Sequence, residues 1–203
     1  VLRDLPINLP SPQTSLPQHR LIGEVYGGYI IVECESELIF IDKHAAHERI
    51  IFDRLKSRGH DTMPQLLISP LILEPGKEDS ALILENLGIL ENLGFSVDDF
   101  GNGALAVRQI PSEIELDSVP SLIEELADNI RFGNRPGSLG RDDEILSTVA
   151  CKAAIKLGKA SDVREFAPLV ASVLSGEITH CPHGRPITFR LPKEQIEKAI
   201  KRK

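Results

Sequence analysis

Between residues 21 and 41 two short β-branched and apolar runs, Tyr29-Ile30-Ile31-Val32 and Leu38-Ile39-Phe40-Ile41, are separated by acidic residues and predict two paired strands. The apolar period then lengthens from two to about 3.6 residues, and a helix is expected over 43–57, stopped by Gly59. The stretch 66–140 carries the pattern of a small α+β unit of its own. It has a strand near Leu71-Ile72-Leu73, a helix over 78–93 closed by Gly94, and a hairpin turning at Gly101-Asn102-Gly103. A helix over 119–130 follows, with Pro120 near its start, and a loop containing Gly133, Pro136, Gly137 and Gly140 ends the unit. Helices over 143–157 and 163–174 come next, the second behind the capping-box-like Asp162-x-x-Glu165 and ahead of Gly176. A Cys-Pro-His loop, a strand over 187–191 and a basic helix complete the chain, which shows no internal repeat. The fold class is α+β.

Residues 1–18 contain Pro6, Pro10, Pro12 and Pro17 with little periodicity, the composition of an extended linker, and a further domain is expected ahead of them. No apolar run approaches the roughly 20 residues that a membrane-spanning helix needs, and no basic segment followed by an apolar one opens the sequence. The chain is therefore expected in the cytoplasm, without a membrane partner. Cys34, Cys151 and Cys181 are odd in number and widely spaced, which suits reduced thiols or metal ligands better than a disulfide framework. The formal net charge of -7 changes the picture more. DNA binding draws its non-specific strength from neutralising phosphates, so a domain this acidic is expected to hold duplex DNA weakly by itself, and if it acts on DNA something else must bring it there.

The most informative stretch is Asp42-Lys43-His44-Ala45-Ala46-His47-Glu48, which begins where the second strand ends. At about 100° per residue His44, Glu48, Ile51 and Leu55 share one helix face, so Glu48 lies inside the apolar stripe. A carboxylate buried there calls for a cation, a metal or a raised pKa, and His44 one turn earlier makes a metal the best of these. Asp42 at the mouth of the helix reads, taken alone, as an N-cap.

A second cluster, Cys181-Pro182-His183-Gly184-Arg185-Pro186, lies between a helix and a strand, and its thiolate and imidazole form a ligand pair that suits zinc. On the helix over 143–157 the main apolar stripe is Ile145, Leu146, Val149, Ala150, Ala153 and Leu157. Cys151 points away from it with Ser147 and Ala154, on a second face of small residues that can close against another element. An isolated Cys is more often a buried structural thiol than a ligand. Together, His44, Glu48, Cys151, Cys181 and His183 form a zinc shell, with Asp42 as an oxygen ligand for a second, harder ion. This is the layout of metal-assisted phosphodiester hydrolysis. Arg185 can add a phosphate contact or make a surface ion pair.

These motifs resemble those of the MutL family of DNA mismatch-repair proteins. Residues 42–53 are similar to its endonuclease motif D-Q-H-A-x-x-E-x-x-x-x-E, Ala150-Cys151-Lys152 to its A-C-R/K element, and residues 181–186 to its C-P-H-G-R-P element letter for letter. Phe189 is followed directly by Arg190, without the spacer of the family's F-x-R ending, and is not counted. The resemblance implies a C-terminal domain that dimerises and nicks one strand of duplex DNA, using Zn²⁺ and Mn²⁺ or Mg²⁺, with Asp42, His44 and Glu48 catalytic. It implies two lobes: residues 19–65 and 141–203 for dimerisation and metal binding, and an inserted regulatory lobe over 66–140. ATP would act only through the absent N-terminal domain, and a mismatch-recognition protein of the MutS family would be a partner. Two positions depart from the motif. Lys43 stands where it has Gln, close enough to Asp42 to weaken a cation there or to contact phosphate, and Asp53 replaces its last Glu on the side of the helix opposite His44.

Gln65-Leu66-Leu67-Ile68-Ser69-Pro70 is similar to the family's Q-x-x-L/I-x-P sliding-clamp element, with Gln65, Ile68 and Pro70 as its anchors. A clamp already on DNA supplies effective concentration to a nuclease that lacks its own affinity. Two other readings stand beside the endonuclease. One is a non-catalytic dimerisation module stabilised by a closed zinc site. The other is an unrelated zinc hydrolase with a deep apolar pocket at the metal. The basic end of the chain, residues 198–203, reads as a solvated, frayed terminus or a contact for DNA or a second copy.

Overall fold

The computed structural model describes residues 16–58, 64–132, 140–158 and 163–202. Gly59, the Gly133–Gly137 part of the expected loop, Asp162 and most of the expected linker lie outside them.

A four-stranded antiparallel sheet takes the order β1-β2-β3-β7, built from β1 (His19–Val25), β2 (Tyr29–Cys34), β3 (Glu37–Asp42) and β7 (Thr188–Pro192). Strand alternation sorts its residues into two faces. Ile30, Val32, Cys34, Ile39 and Ile41 are buried against Phe166, Leu169, Val170 and Val173 of helix α6 (Val163–Leu174). The opposite face carries Tyr29, Ile31, Phe40 and Phe189, with Ile31 paired to Phe40 and Phe40 to Phe189. Tyr29 and Phe189 remain exposed among the described residues. The two predicted strands are β2 and β3. Strand β1 was not expected, because His19-Arg20-Leu21-Ile22-Gly23-Glu24-Val25 lacks alternation, and its register slips between Leu21 and Gly23.

Helix α1 (Lys43–Arg58) follows β3 directly and packs on helix α5 (Arg141–Gly158). Between them in sequence lies a three-stranded antiparallel sheet of order β4-β6-β5, from β4 (Pro64–Leu73), β5 (Ser96–Gly101) and β6 (Ala104–Pro111). Helices α2 (Lys77–Leu84) and α3 (Leu87–Asn92), a 3-10 turn (Leu116–Ser118) and α4 (Val119–Phe132) accompany it, and a short α7 (Lys193–Ala199) ends the chain. The helix expected over 78–93 is two helices. Buried Asn86 donates its side-chain amide back to Leu82 O (2.7 Å) and leaves helical geometry at φ -115°, ψ 18°.

Two hydrophobic clusters hold the fold. The smaller joins the four-stranded sheet, α6 and Ala46. The larger contains Ile83 of α2, Leu90 of α3, the buried apolar residues of α4, Val97 of β5 and Leu105, Val107 and Ile110 of β6, together with Ile51, Phe52 and Leu55 of α1 and Ile145, Val149 and Ala153 of α5. It therefore reaches beyond residues 66–140, and α1 sits with its start in one core and its end in the other.

Candidate metal centre

The first turn of α1 is anchored on three sides. Asp42 N–H donates to Ile187 O (2.9 Å), Lys43 N–H donates to Gly28 O (2.9 Å), and Asp42 Oδ1 accepts from Ala45 N–H (3.0 Å). The last bond is the helix cap read from the sequence. Lys43 is buried, its ammonium paired with Glu24 of β1 and lying 5.8 Å from the centre of the Phe166 ring. It is thus not presented to a phosphate, which corrects the contact expected of it. Asp53 pairs with Arg49 on the same helix at 2.8 Å.

His44 and Glu48, one turn apart, face α5, where Ser147 and Cys151 are also one turn apart. Cys151 Sγ is 4.0 Å from His44 Nε2. Of the residues expected on the second face of α5, Ser147 is buried and Cys151 half-buried beside the α1 and 181–186 groups, while Ala154 lies in the larger hydrophobic cluster. The 181–186 loop reaches the same place. It turns through a bond from Gly184 N–H to Cys181 O (2.9 Å), with Gly184 at φ +78°, and is held by Cys181 N–H donating to Arg185 O (2.9 Å). His183 Nδ1 is thereby 3.2 Å from Glu48 Oε1, and its Nε2 is 3.3 Å from Ser147 Oγ. Ser147 was missed by the sequence reading, since nothing near it marks a buried serine as part of a site.

Glu48 is 5% exposed, and its Oε1 has no hydrogen-bond partner among the described residues. The His183 ring is close enough to attract this oxygen but lies off the direction of a hydrogen bond. Burial pushes the Glu48 carboxyl up from its usual range, against His183 and His44, which pull it down; Asp42 adds to the rise and Arg185 opposes it. Burial also raises the Cys151 thiol, helped by Glu48 and Glu125 and opposed by Lys152, which pairs with Glu125 at 2.9 Å. His47 is lowered by burial and then by Lys43 and His44, and its Nδ1 is a second buried atom without a partner among the described residues.

The five expected ligands come together unevenly. His44 meets Cys151, and Glu48 meets His183. Cys181 is buried in its turn, and its thiol is in no disulfide. Among those residues no three His, Cys, Asp or Glu side chains already close on one point. The donors nonetheless fit a divalent metal. An orphaned carboxylate oxygen, two imidazoles and a thiol stand in two close pairs, Glu48 with His183 and His44 with Cys151, and their borderline-soft chemistry suits zinc. A cavity of about 380 Å³ lies elsewhere, on the open sheet face, and of the expected site residues it touches Asp42 alone.

Gln65, Leu66, Ile68 and Pro70 are all exposed on β4. Leu66 pairs with Gln109 and Leu71 with Val107, so the residues between them bow out of the ladder. Ile68 is fully exposed there and Leu66 is 75% exposed. The strand expected near residues 71–73 begins at Pro64 and takes in the clamp-like segment, which taken alone reads as the entry to a strand.

A family model described as the MutL C terminal dimerisation domain matches residues 22–161. The DNA mismatch repair protein MutL of Clostridium botulinum strain Kyoto is 30% identical over 203 residues, covering 97% of this chain and 30% of that protein. The MutL of Caldanaerobacter subterraneus subsp. tengcongensis is 29% identical over 184 residues, 90% of this chain and 31% of its own length. The MutL of Chelativorans sp. strain BNC1 is 35% identical over 186 residues, 89% and 30% respectively. The chain thus spans about a third of the curated relatives it matches, and the match takes in both helices that carry the candidate site: it belongs to the MutL family, as a C-terminal dimerisation domain.

Proposed function

We propose that this domain is a divalent-metal-dependent endonuclease that nicks one strand of duplex DNA in mismatch repair. One observation carries the reading: the buried Glu48 oxygen that has no hydrogen-bond partner among the described residues, with His183 3.2 Å away and the His44–Cys151 pair on the same two helices. An unpaired buried carboxylate is costly, and such groups mark sites that act on something absent. His44, Glu48, Cys151, Cys181 and His183 would hold the metal. When bound, it would activate water and offset charge on the scissile phosphate. Asp42 keeps His44 and Glu48 in place through its cap of α1, with its second oxygen left for a harder ion such as Mn²⁺ or Mg²⁺. Arg185 is exposed, within electrostatic reach of Glu48, and suits a phosphate oxygen.

Three partners follow from this reading. Duplex DNA is held weakly, given the charge of -7. A sliding clamp docks on the bowed segment of β4, where Leu66 and Ile68 stand in solvent beside Gln65 and Pro70. A second copy covers the open sheet face, whose Tyr29, Phe40 and Phe189 form an apolar patch with the two phenylalanine rings 5.8 Å apart. A MutS-family protein and the ATPase domain would act from outside these residues, and the work would take place in the cytoplasm.

The second reading is a dimerisation module with a purely structural zinc. The capping bond of Asp42 favours it, because that bond gives Asp42 a sufficient structural task. Nicking of supercoiled plasmid at low salt with Mn²⁺, Mg²⁺ or chelator separates the two. Relaxation that needs the metal and is lost in Asp42→Asn supports the endonuclease. Intact plasmid even with clamp and clamp loader present leaves the structural zinc.

A further inference from the structure

The two nitrogens of His183 meet different partners, and the difference determines which of them can serve a metal. Nε2 is 3.3 Å from Ser147 Oγ, while Nδ1 is 3.2 Å from Glu48 Oε1. A serine hydroxyl both donates and accepts, so the first contact alone does not fix the ring proton. The second contact weighs toward Nε2. Glu48 Oε1 lies off the hydrogen-bond direction and has no such partner among the described residues, so a proton on Nδ1 would meet it only through a bent, weakened contact. A proton on Nε2 finds Ser147 Oγ.

We infer that Ser147 is a positioning residue, which holds the proton of His183 on Nε2 and leaves the Nδ1 lone pair free beside Glu48 to bind a metal. Two observations besides the distances support this. Ser147 is 1% exposed and so is not an incidental surface hydroxyl. It also lies one turn before Cys151 on α5, so a single helix supplies a ligand and the group that orients another. The separation of Nδ1 and Oε1 suits two donors of one ion: metal–ligand bonds of about 2.0 Å in a tetrahedral site put neighbouring donor atoms about 3.3 Å apart. Lone pairs in such a site aim at the ion and not at each other, which is why a close pair with poor hydrogen-bond geometry is the expected arrangement. Metal-ligating histidines commonly donate their other ring N–H to a fixed acceptor, and loss of that acceptor lowers metal affinity by about 10- to 100-fold.

The inference rests on the metal-site reading, and its test keeps the two apart. Imidazole ¹H–¹⁵N spectra of the metal-free chain report the His183 tautomer directly, and competition with a chromogenic chelator reports Zn²⁺ affinity. The expected result is the Nε2–H tautomer in the wild type, its loss in Ser147→Ala, a 10- to 100-fold fall in Zn²⁺ affinity, and recovery of both in Ser147→Thr. The Nδ1–H tautomer in the wild type overturns the inference, and that measurement needs no variant to fold. An unchanged tautomer in Ser147→Ala also overturns it. A tautomer that follows Ser147 in a wild type that binds no Zn²⁺ supports the positioning role and removes the metal reading instead.

Discussion

Cys151 Sγ and His44 Nε2 stand 4.0 Å apart across the packed pair α1 and α5, although 107 residues separate them in the chain. If the two hold one ion, as proposed, they are not independent, and their losses should not add. Cys151→Ser and His44→Ala are each expected to weaken Zn²⁺ binding by more than about tenfold, the scale on which even supporting groups act. The double variant should be little worse than either single one. Chelator competition measures all three, and fully additive losses would show that the two side chains serve different ions.

Glu48→Gln removes a buried charge while keeping the side-chain volume. The carboxylate has an oxygen without a hydrogen-bond partner among the described residues, and burial already disfavours its ionised form. The metal-free variant should gain about 1 kcal/mol, at the low end of what an unsatisfied buried group costs. For a chain of this size that raises the melting temperature by about 2–4 °C per kcal/mol. Zinc binding should fall at the same time. Thermal melts in chelator check the first half, and a lower melting temperature would mean that the carboxylate stabilises the fold on its own account.

The Lys43–Glu24 pair lies inside the protein, with side-chain exposures of 3% and 13%. Removing one partner leaves the other charge buried, which typically costs about 3–5 kcal/mol. Lys43→Ala and Glu24→Ala should each destabilise the domain on that scale, and the double variant by much less than the sum. Urea unfolding of the four proteins tests the coupling. Additive effects would show that the two groups are stabilised separately.

Ile68→Ser changes a side chain that touches little of the protein, as its full exposure requires. Stability should stay within about 0.5 kcal/mol of the wild type. Clamp binding, measured by surface plasmon resonance on immobilised clamp, should be lost. Unchanged binding would mean that the bowed part of β4 is not the docking site.

What the sequence reveals about this site is what one helix can show by itself. His44 and Glu48 share a face because they are four residues apart, and Asp42 is a cap because it precedes the first turn; neither statement needs the rest of the chain. The place of Cys151 off the apolar stripe of α5 was legible too, whereas Ala154, read onto the same face, joins the core cluster of that stripe. The partners across space were not. Nothing local to Ser147 points to His183, and nothing local to Lys43 points to Glu24, which lies in a strand whose bulge hides its alternation. The break at Asn86 was hidden for another reason. The string Leu-Glu-Asn-Leu-Gly occurs at 84–88 and again at 90–94, and only the second copy was read as a helix end. In the first, a buried side-chain amide rather than the glycine ends the helix.

The larger hydrophobic cluster has a consequence for how this chain can be cut. It holds Ile51, Phe52 and Leu55 of α1 and Ile145, Val149 and Ala153 of α5 together with the interior of the 64–132 segment. Excising that segment and splicing its ends would strip the greasy flank from the two helices that carry His44, Glu48, Ser147 and Cys151. A shortened protein designed to keep only the chemistry would therefore be sticky and poorly folded around that chemistry. Miniaturising this domain means repainting both helices with polar residues first.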